Sequence, residues 1–215
     1  MARTEAAAQT ADPRSSRGRP DVVQVSRQMP RSERQQSILV GAAQAFALGG
    51  YAATSMDEIA AASGITKLIV YRHFDSKESL YDEVLDKVAS RLAEEFMQGL
   101  GSGRRPGLGV RAFLTVAREN PAGFRLLWRH ATREPQFAEH ANVLREKVIW
   151  AARAMLSERI ADTSIHDWAA ETIVGLLVDA TVNWLDYGDP ARDEHFIDMM
   201  VASTQAMIAA WGAQA

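Results

Sequence analysis

From residue 32 onward, apolar side chains return every three or four positions, the spacing of a helix buried on one face. Ile38, Leu39, Ala42, Ala43 and Phe46 form the first such stripe, and Gly49-Gly50 breaks it. Ser32 and Gln35 stand at capping-box spacing at its start. Thr54-Ser55-Met56-Asp57 predicts the cap of a second helix running to about Ala62, and Ser63-Gly64-Ile65 a tight turn. Thr66 predicts the cap of a short third helix ending near Phe74, and Asp75 or Ser76 the cap of a long fourth that fades at 99–103.

The second half repeats the pattern. A loop is expected at 101–107 and a helix over 108–119, after which Asn120-Pro121 supplies a cap and a proline at the first helical position. Pro135 is expected to open a long helix to about Ile160. Ser164-Ile165-His166-Asp167 should cap the next, which Gly188 ends; Asp189-Pro190 should start the last, stopping near Gly212. The expectation is an all-α chain of about nine helices. No run of about 18 apolar residues suggests a membrane span.

Composition sharpens this picture. Hydrophobic residues make up 47% of the 215, enough for a sizeable core. Cysteine is absent, which removes disulfides, thiolate metal sites and cysteine nucleophiles. Residues 1–29 lack helical spacing and read as a disordered basic arm with no secretory leader, so a cytoplasmic location is expected. Net charge is −3, but residues 1–80 carry ten Lys/Arg against eight Asp/Glu, and residues 81–215 fourteen against nineteen. An acidic body can carry a less acidic head, and local charge governs attraction to phosphate. Within the arm, Arg17-Gly18-Arg19-Pro20 resembles an AT-hook core, whose two arginines fit a narrow A·T minor groove. A solvated tail containing a chance tetrapeptide is the plainer alternative.

Three short helices with a glycine turn between the second and third form a helix-turn-helix, whose third helix enters the major groove. The Gly64 turn, the Tyr71-Arg72-His73-Phe74 run and Ser76-Lys77-Glu78-Ser79-Leu80 stand in order along residues 54–80. This signature resembles the TetR family of bacterial transcription regulators. The resemblance implies a DNA-binding head over residues 30–80 and a helical effector-binding and dimerisation domain over 81–215. Helical residues advance by about 100°, so Val70 and Phe74 share an inward face, expected to pack on Ile38, Phe46, Ile59 and Ile65. Arg72 lies nearly opposite, flanked by Leu68, Ile69 and His73. Arg72 can read guanine bidentately, Leu68 and Ile69 can touch thymine methyls, and Lys67 can reach a base edge or a phosphate. Thr54, Ser55 and Thr66, at helix N-termini, and Lys77 are expected at phosphates. The resemblance places Tyr71 and His73 on the backbone as well. Leu68 and Ile69 depart from the family, where a small and a hydroxyl residue are common.

The body is rich in large apolar side chains. The resemblance implies a cavity for a small effector, apolar or aromatic in character. Phe113, Arg125, Trp128, His130, Trp150, Asn183 and Trp184 are the candidate lining residues, although single aromatics can equally fill the core. Ile173, Leu177 and Thr181 on the penultimate helix and Phe196, Met200 and Met207 on the last form stripes assigned to a two-fold homodimer seam. Such a dimer implies a near-palindromic double-stranded DNA operator with half-sites about one helical turn apart. The expected function is a repressor released from its operator by a ligand. The alternatives are an effector-independent DNA-binding or architectural protein, or an activator. The sequence shows neither a Gly-rich phosphate loop nor a His-Glu-x-x-His motif, and its five histidines are scattered; no enzymatic activity, cofactor or metal is expected.

Overall fold

The computed structural model describes residues 30–101 and 106–213. Among these the chain is entirely helical, with nine α-helices joined by short turns. Arg17 and Arg19, expected to meet DNA from the arm, lie outside the described residues.

Helix α1 spans Arg31–Ala53. Pro30 precedes its first turn and no side chain caps it, so Ser32 sits inside the helix rather than at its cap. Gly50 interrupts the helix at φ 74°, ψ 164°, a conformation that glycine reaches without a Cβ penalty. Helix α2 (Met56–Ser63) opens on a full capping box: Ser55 accepts from the Glu58 backbone N–H, and the Glu58 carboxylate accepts from Ser55 in return. It ends at Gly64 in the left-handed conformation, φ 64°. Helix α3 is Lys67–His73. Helix α4 (Lys77–Gly101) starts where Ser76 and Ser79 exchange side-chain and backbone hydrogen bonds. It carries the chain through residue 80 without a break.

The rest of the chain forms the body. Helix α5 is Leu108–Glu119, and α6 is Pro121–Arg125, capped by the Asn120 side chain accepting from the Gly123 N–H. α6 runs on into a π-helical turn, Leu126–His130, and a 3-10 turn, Ala131–Arg133. Helix α7 begins at Ala138, later than expected from Pro135. Before it, the Glu134 carbonyl accepts from both Phe137 and Ala138, closing a turn through the proline. α7 stops at Leu156, short of Ile160, whose carbonyl accepts from the buried His166 ring. Asp162, rather than Ser164, caps the 3-10 turn that leads into α8 (His166–Tyr187). A further 3-10 turn, capped by Asp189, leads into α9 (Asp193–Gly212).

One hydrophobic core runs from head to body. In the head, Val70 and Phe74 are buried with Ile38, Phe46, Ile59 and Ile65, the partners expected from helical geometry. Head and body meet at an aromatic junction. Tyr51, just past the Gly50 break, lies 5.4 Å from Tyr81 of α4 and 4.7 Å from Phe137, and Phe137 stacks on Tyr81 at 4.0 Å.

Candidate functional site

Helix α3, the expected reading helix, exposes much of its side-chain surface. Leu68 is 63% exposed, and Lys67, Tyr71 and Arg72 are also exposed, with Thr66, Ile69 and His73 half-buried beside them. An exposed leucine one helical turn from an exposed arginine is what a protein surface awaiting a partner presents. Thr66, Leu68, Ile69, Arg72 and His73 line an open groove together with Arg31 and Arg34 from the first turn of α1. The two α1 arginines were missed in the sequence, where the same turn read as a capping box; their i, i+3 spacing beside the head was the available signal. Burial, reinforced by the charges of Arg31 and Arg34, holds the His73 imidazolium below its ordinary range. His73 therefore stays neutral at neutral pH and can donate one hydrogen bond without adding charge. Lys67 is tied to Asp57 of α2 at 2.8 Å, a contact that raises its pKa and that a phosphate or base would have to replace.

Two expected phosphate contacts face inward. Thr54 is 4% exposed, and its hydroxyl donates to the Gly50 carbonyl at 2.7 Å and sits 3.2 Å from that of Ala45. Its hydroxyl is spent closing the α1–α2 corner. The Lys77 ammonium donates to the carbonyls of Tyr51 and Thr54, each at 2.8 Å, and lies 4.3 Å over the Tyr51 ring. Lys77 thus fastens α4 to the same corner instead of reaching outward. Ser55 and Thr66 remain at helix N-termini, the former engaged with Glu58.

The body regroups the proposed effector residues. Phe113 and Trp128 are buried side by side at 5.5 Å, with Phe124 against both. The others lie elsewhere. Trp150 is 71% exposed on α7 because its helix turns it outward, and Asn183 is exposed on α8. His130 is exposed at the end of the π turn, where partial desolvation and the nearby Arg133 lower its pKa. Arg125 forms an ion pair with Asp186. Trp184 stacks on Phe196 at 4.9 Å and donates from Nε1 to Asp193 at 2.7 Å, joining α8 to α9. Asp193 also receives both arms of Arg118, at 2.7 and 2.9 Å, and these hydrogen bonds hold its carboxyl below the usual range.

The expected dimer stripes also turn inward. Ile173, Leu177, Thr181 and Phe196 are buried within their own chain, and Met200 and Met207 are half-buried against the same core. An apolar stripe at helical spacing does not say which of two neighbours it faces, and here the chain's own core takes it. The outward faces of α8 and α9 carry Leu176 (half-buried), Asn183, Tyr187, Met199, Ala202 and Ala206 (exposed).

Comparisons with known proteins agree with this arrangement. The family described as bacterial regulatory proteins, tetR family, matches residues 38–84, the head and the start of α4. The HTH-type transcriptional activator FasR of Mycolicibacterium smegmatis is 31% identical over 179 residues, covering 79% of this chain and 80% of its own length. The HTH-type transcriptional repressor KstR2 of Rhodococcus jostii is 36% identical over 89 residues, 41% of this chain and 44% of its own. In fold, the chain is similar to a TetR-like regulator from Rhodococcus sp. RHA1 (TM-score 0.70, 21% identity, 84% of this chain and 98% of that one). It is similar too to AibR, solved with isovaleryl coenzyme A and operator DNA (TM-score 0.62, 22% identity, 79% and 97%).

Proposed function

We propose, from the premise that the chain belongs to the TetR family of bacterial transcription regulators and is a DNA-binding regulator of transcription, that it grips a near-palindromic operator as a homodimer and lets go when a small molecule binds its body. The observation that carries this reading is the outward arc of Lys67, Leu68, Ile69 and Arg72, set in a groove flanked by Arg31 and Arg34. Arg72 reads a guanine through its two N–H groups, and Leu68 and Ile69 lie against thymine methyls. Arg31, Arg34, Tyr71, Ser55 and Thr66 hold phosphates and fix the register of the helix. The AT-hook-like arm adds phosphate attraction from Arg17 and Arg19. DNA binding places this work in the cytoplasm.

The dimer seam runs over the outward faces of α8 and α9, through Tyr187, Met199, Ala202 and Ala206. The effector acts through the aromatic cluster of Phe113, Phe124 and Trp128 and its surroundings. For release, effector and DNA must favour different arrangements of head and body, and their coupling is reciprocal. The Tyr51–Tyr81–Phe137 junction is the element such a shift would pass through. That the similar fold of AibR was solved with an acyl thioester ligand and with operator DNA supports responsiveness to small molecules.

A second reading has its own support, because the relative 31% identical over most of the chain is named an activator. A reporter driven by the operator-bearing promoter separates the two. Deleting the regulator raises expression if it represses and lowers it if it activates. Binding is tested by fluorescence anisotropy on selected duplexes, with and without metabolite extracts. Duplex affinity that no extract fraction changes would count against ligand release.

A further inference from the structure

The body carries a second concavity, remote from the reading helix, where the π-helical turn Leu126–His130 and the 3-10 turn after it meet α7 and α8. It has a volume of about 250 Å³, and three arginines (Arg129, Arg133, Arg145) and two carboxylates (Glu171, Asp179) share its wall with Trp128 and Gly175. Four observations converge on it. Arg145 of α7 lies 5.4 Å over the Trp128 ring; among the described residues it forms no ion pair, Glu171 of the same wall included, and its Nε is buried without a partner. Trp128 is 95% buried, yet its indole N–H has no acceptor. An orphaned buried donor is destabilising and uncommon in native proteins. Arg133 adds another cation, while Arg129 is already neutralised by Asp179 at 2.9 Å. Finally, Gly175 stands mid-helix in α8, where an added Cβ would meet nothing within 4 Å. Neither packing nor backbone asks for glycine there, and a mid-helix glycine is less stable than alanine.

These features suit one kind of guest. A planar guanidinium without an anion, an indole N–H without an acceptor and a low wall at Gly175, with Val174 and Val178 alongside, match an oxygen-bearing anion on a carbon skeleton. The volume suits a headgroup rather than a whole drug-sized ligand. We propose that this concavity binds the carboxylate or phosphate group of the effector, with Arg145 as its principal cation and the Trp128 N–H as a second donor. The proposal rests on the ligand-responsive reading above and gives it a chemical class. It also supplies a route to the head. Arg133 is followed directly by the turn through Glu134 that carries Phe137 onto Tyr51 and Tyr81. An anion drawing Arg133 inward pulls on that turn.

Calorimetric titration of the full-length protein with inorganic phosphate, with hexanoate and with uncharged hexanamide tests the site. At least one anion should bind, and hexanamide should not. Arg145→Gln should weaken anion binding at least tenfold, and Gly175→Leu should abolish it by filling the space. The circular dichroism melt of each variant without anion checks that it folds. No binding of either anion, or equal binding to both variants and the wild type, would overturn the proposal. Operator affinity is scored separately. Anion binding that leaves the operator bound keeps the site and rejects ligand release; release by another molecule, unaffected by Arg145→Gln, keeps ligand release and rejects the site.

Discussion

Arg72 and Lys77 stand five residues apart and look equally basic, but they have different work to do. Arg72 is exposed on the outward arc with its fork free to meet a base edge. Arg72→Ala should therefore leave the melting temperature within a degree or two and cost about 1–3 kcal/mol of operator binding, concentrated at one guanine per half-site. The Lys77 ammonium is anchored by the carbonyls of Tyr51 and Thr54. Its removal strands those acceptors at the α1–α2 corner, so Lys77→Ala should destabilise the protein by about 1–3 kcal/mol in thermal or urea unfolding. Any loss of DNA affinity in that variant should follow the loss of folded head. Sequence position put both residues beside the helix expected to meet DNA. It could not show which way a flexible lysine turns, because that depends on carbonyls more than twenty residues away.

At the scale of elements, two glycines separate backbone demands from packing demands. Gly64 holds a left-handed turn with open space around it, so Gly64→Ala suffers conformational strain alone, about 1–2 kcal/mol. Gly41 lies in the middle of α1, where an added Cβ would come within 2.6 Å of the Ser63 backbone nitrogen and 2.4 Å of its hydroxyl oxygen. Backbone cannot step aside, so Gly41→Ala should push α2 off α1. It should cost more than Gly64→Ala in unfolding free energy and weaken operator binding too. The turn glycine was legible because left-handed turns have a local signature. The crossing glycine was not, because its need comes from a helix twenty residues on. The same distinction explains the stripes of α8 and α9: periodicity located both helices, while the neighbour each stripe faces is a tertiary fact. Asp193 shows how that neighbour is fixed. Arg118 and Trp184 both bind its carboxylate and depress its pKa. A carboxyl with a lowered folded pKa stabilises the fold at pH above its unfolded value, near 3.8, and loses that contribution as pH falls through the folded pKa. Asp193→Asn should melt below the wild type at pH 7, and the gap between the two should close as pH drops under about 4.

For the whole molecule, helix content, the order of elements and the helix-turn-helix arrangement of the head could all be read from the chain, since each rests on local spacing. Which of the candidate effector residues come together could be read only in part. Phe113 and Trp128 do come together, but Trp150 and Asn183 face solvent, because aromatic content alone does not say which side of a helix is wet. The continuous core and the Tyr51–Tyr81–Phe137 contact make head and body one mechanical unit, so a shift in the body has a packed path to α3. The central claim is that α3 reads an operator through Arg72 and its apolar neighbours, from two heads at once. Selection of bound duplexes from a random pool, run in parallel with wild-type protein and Arg72→Ala, tests it most directly. The wild type should enrich a near-palindrome with half-sites about one helical turn apart, and Arg72→Ala should lose preference at one guanine in each half while keeping the rest. Enrichment of no sequence by the wild type, or of the same sequence with the same stringency by both proteins, would contradict the account.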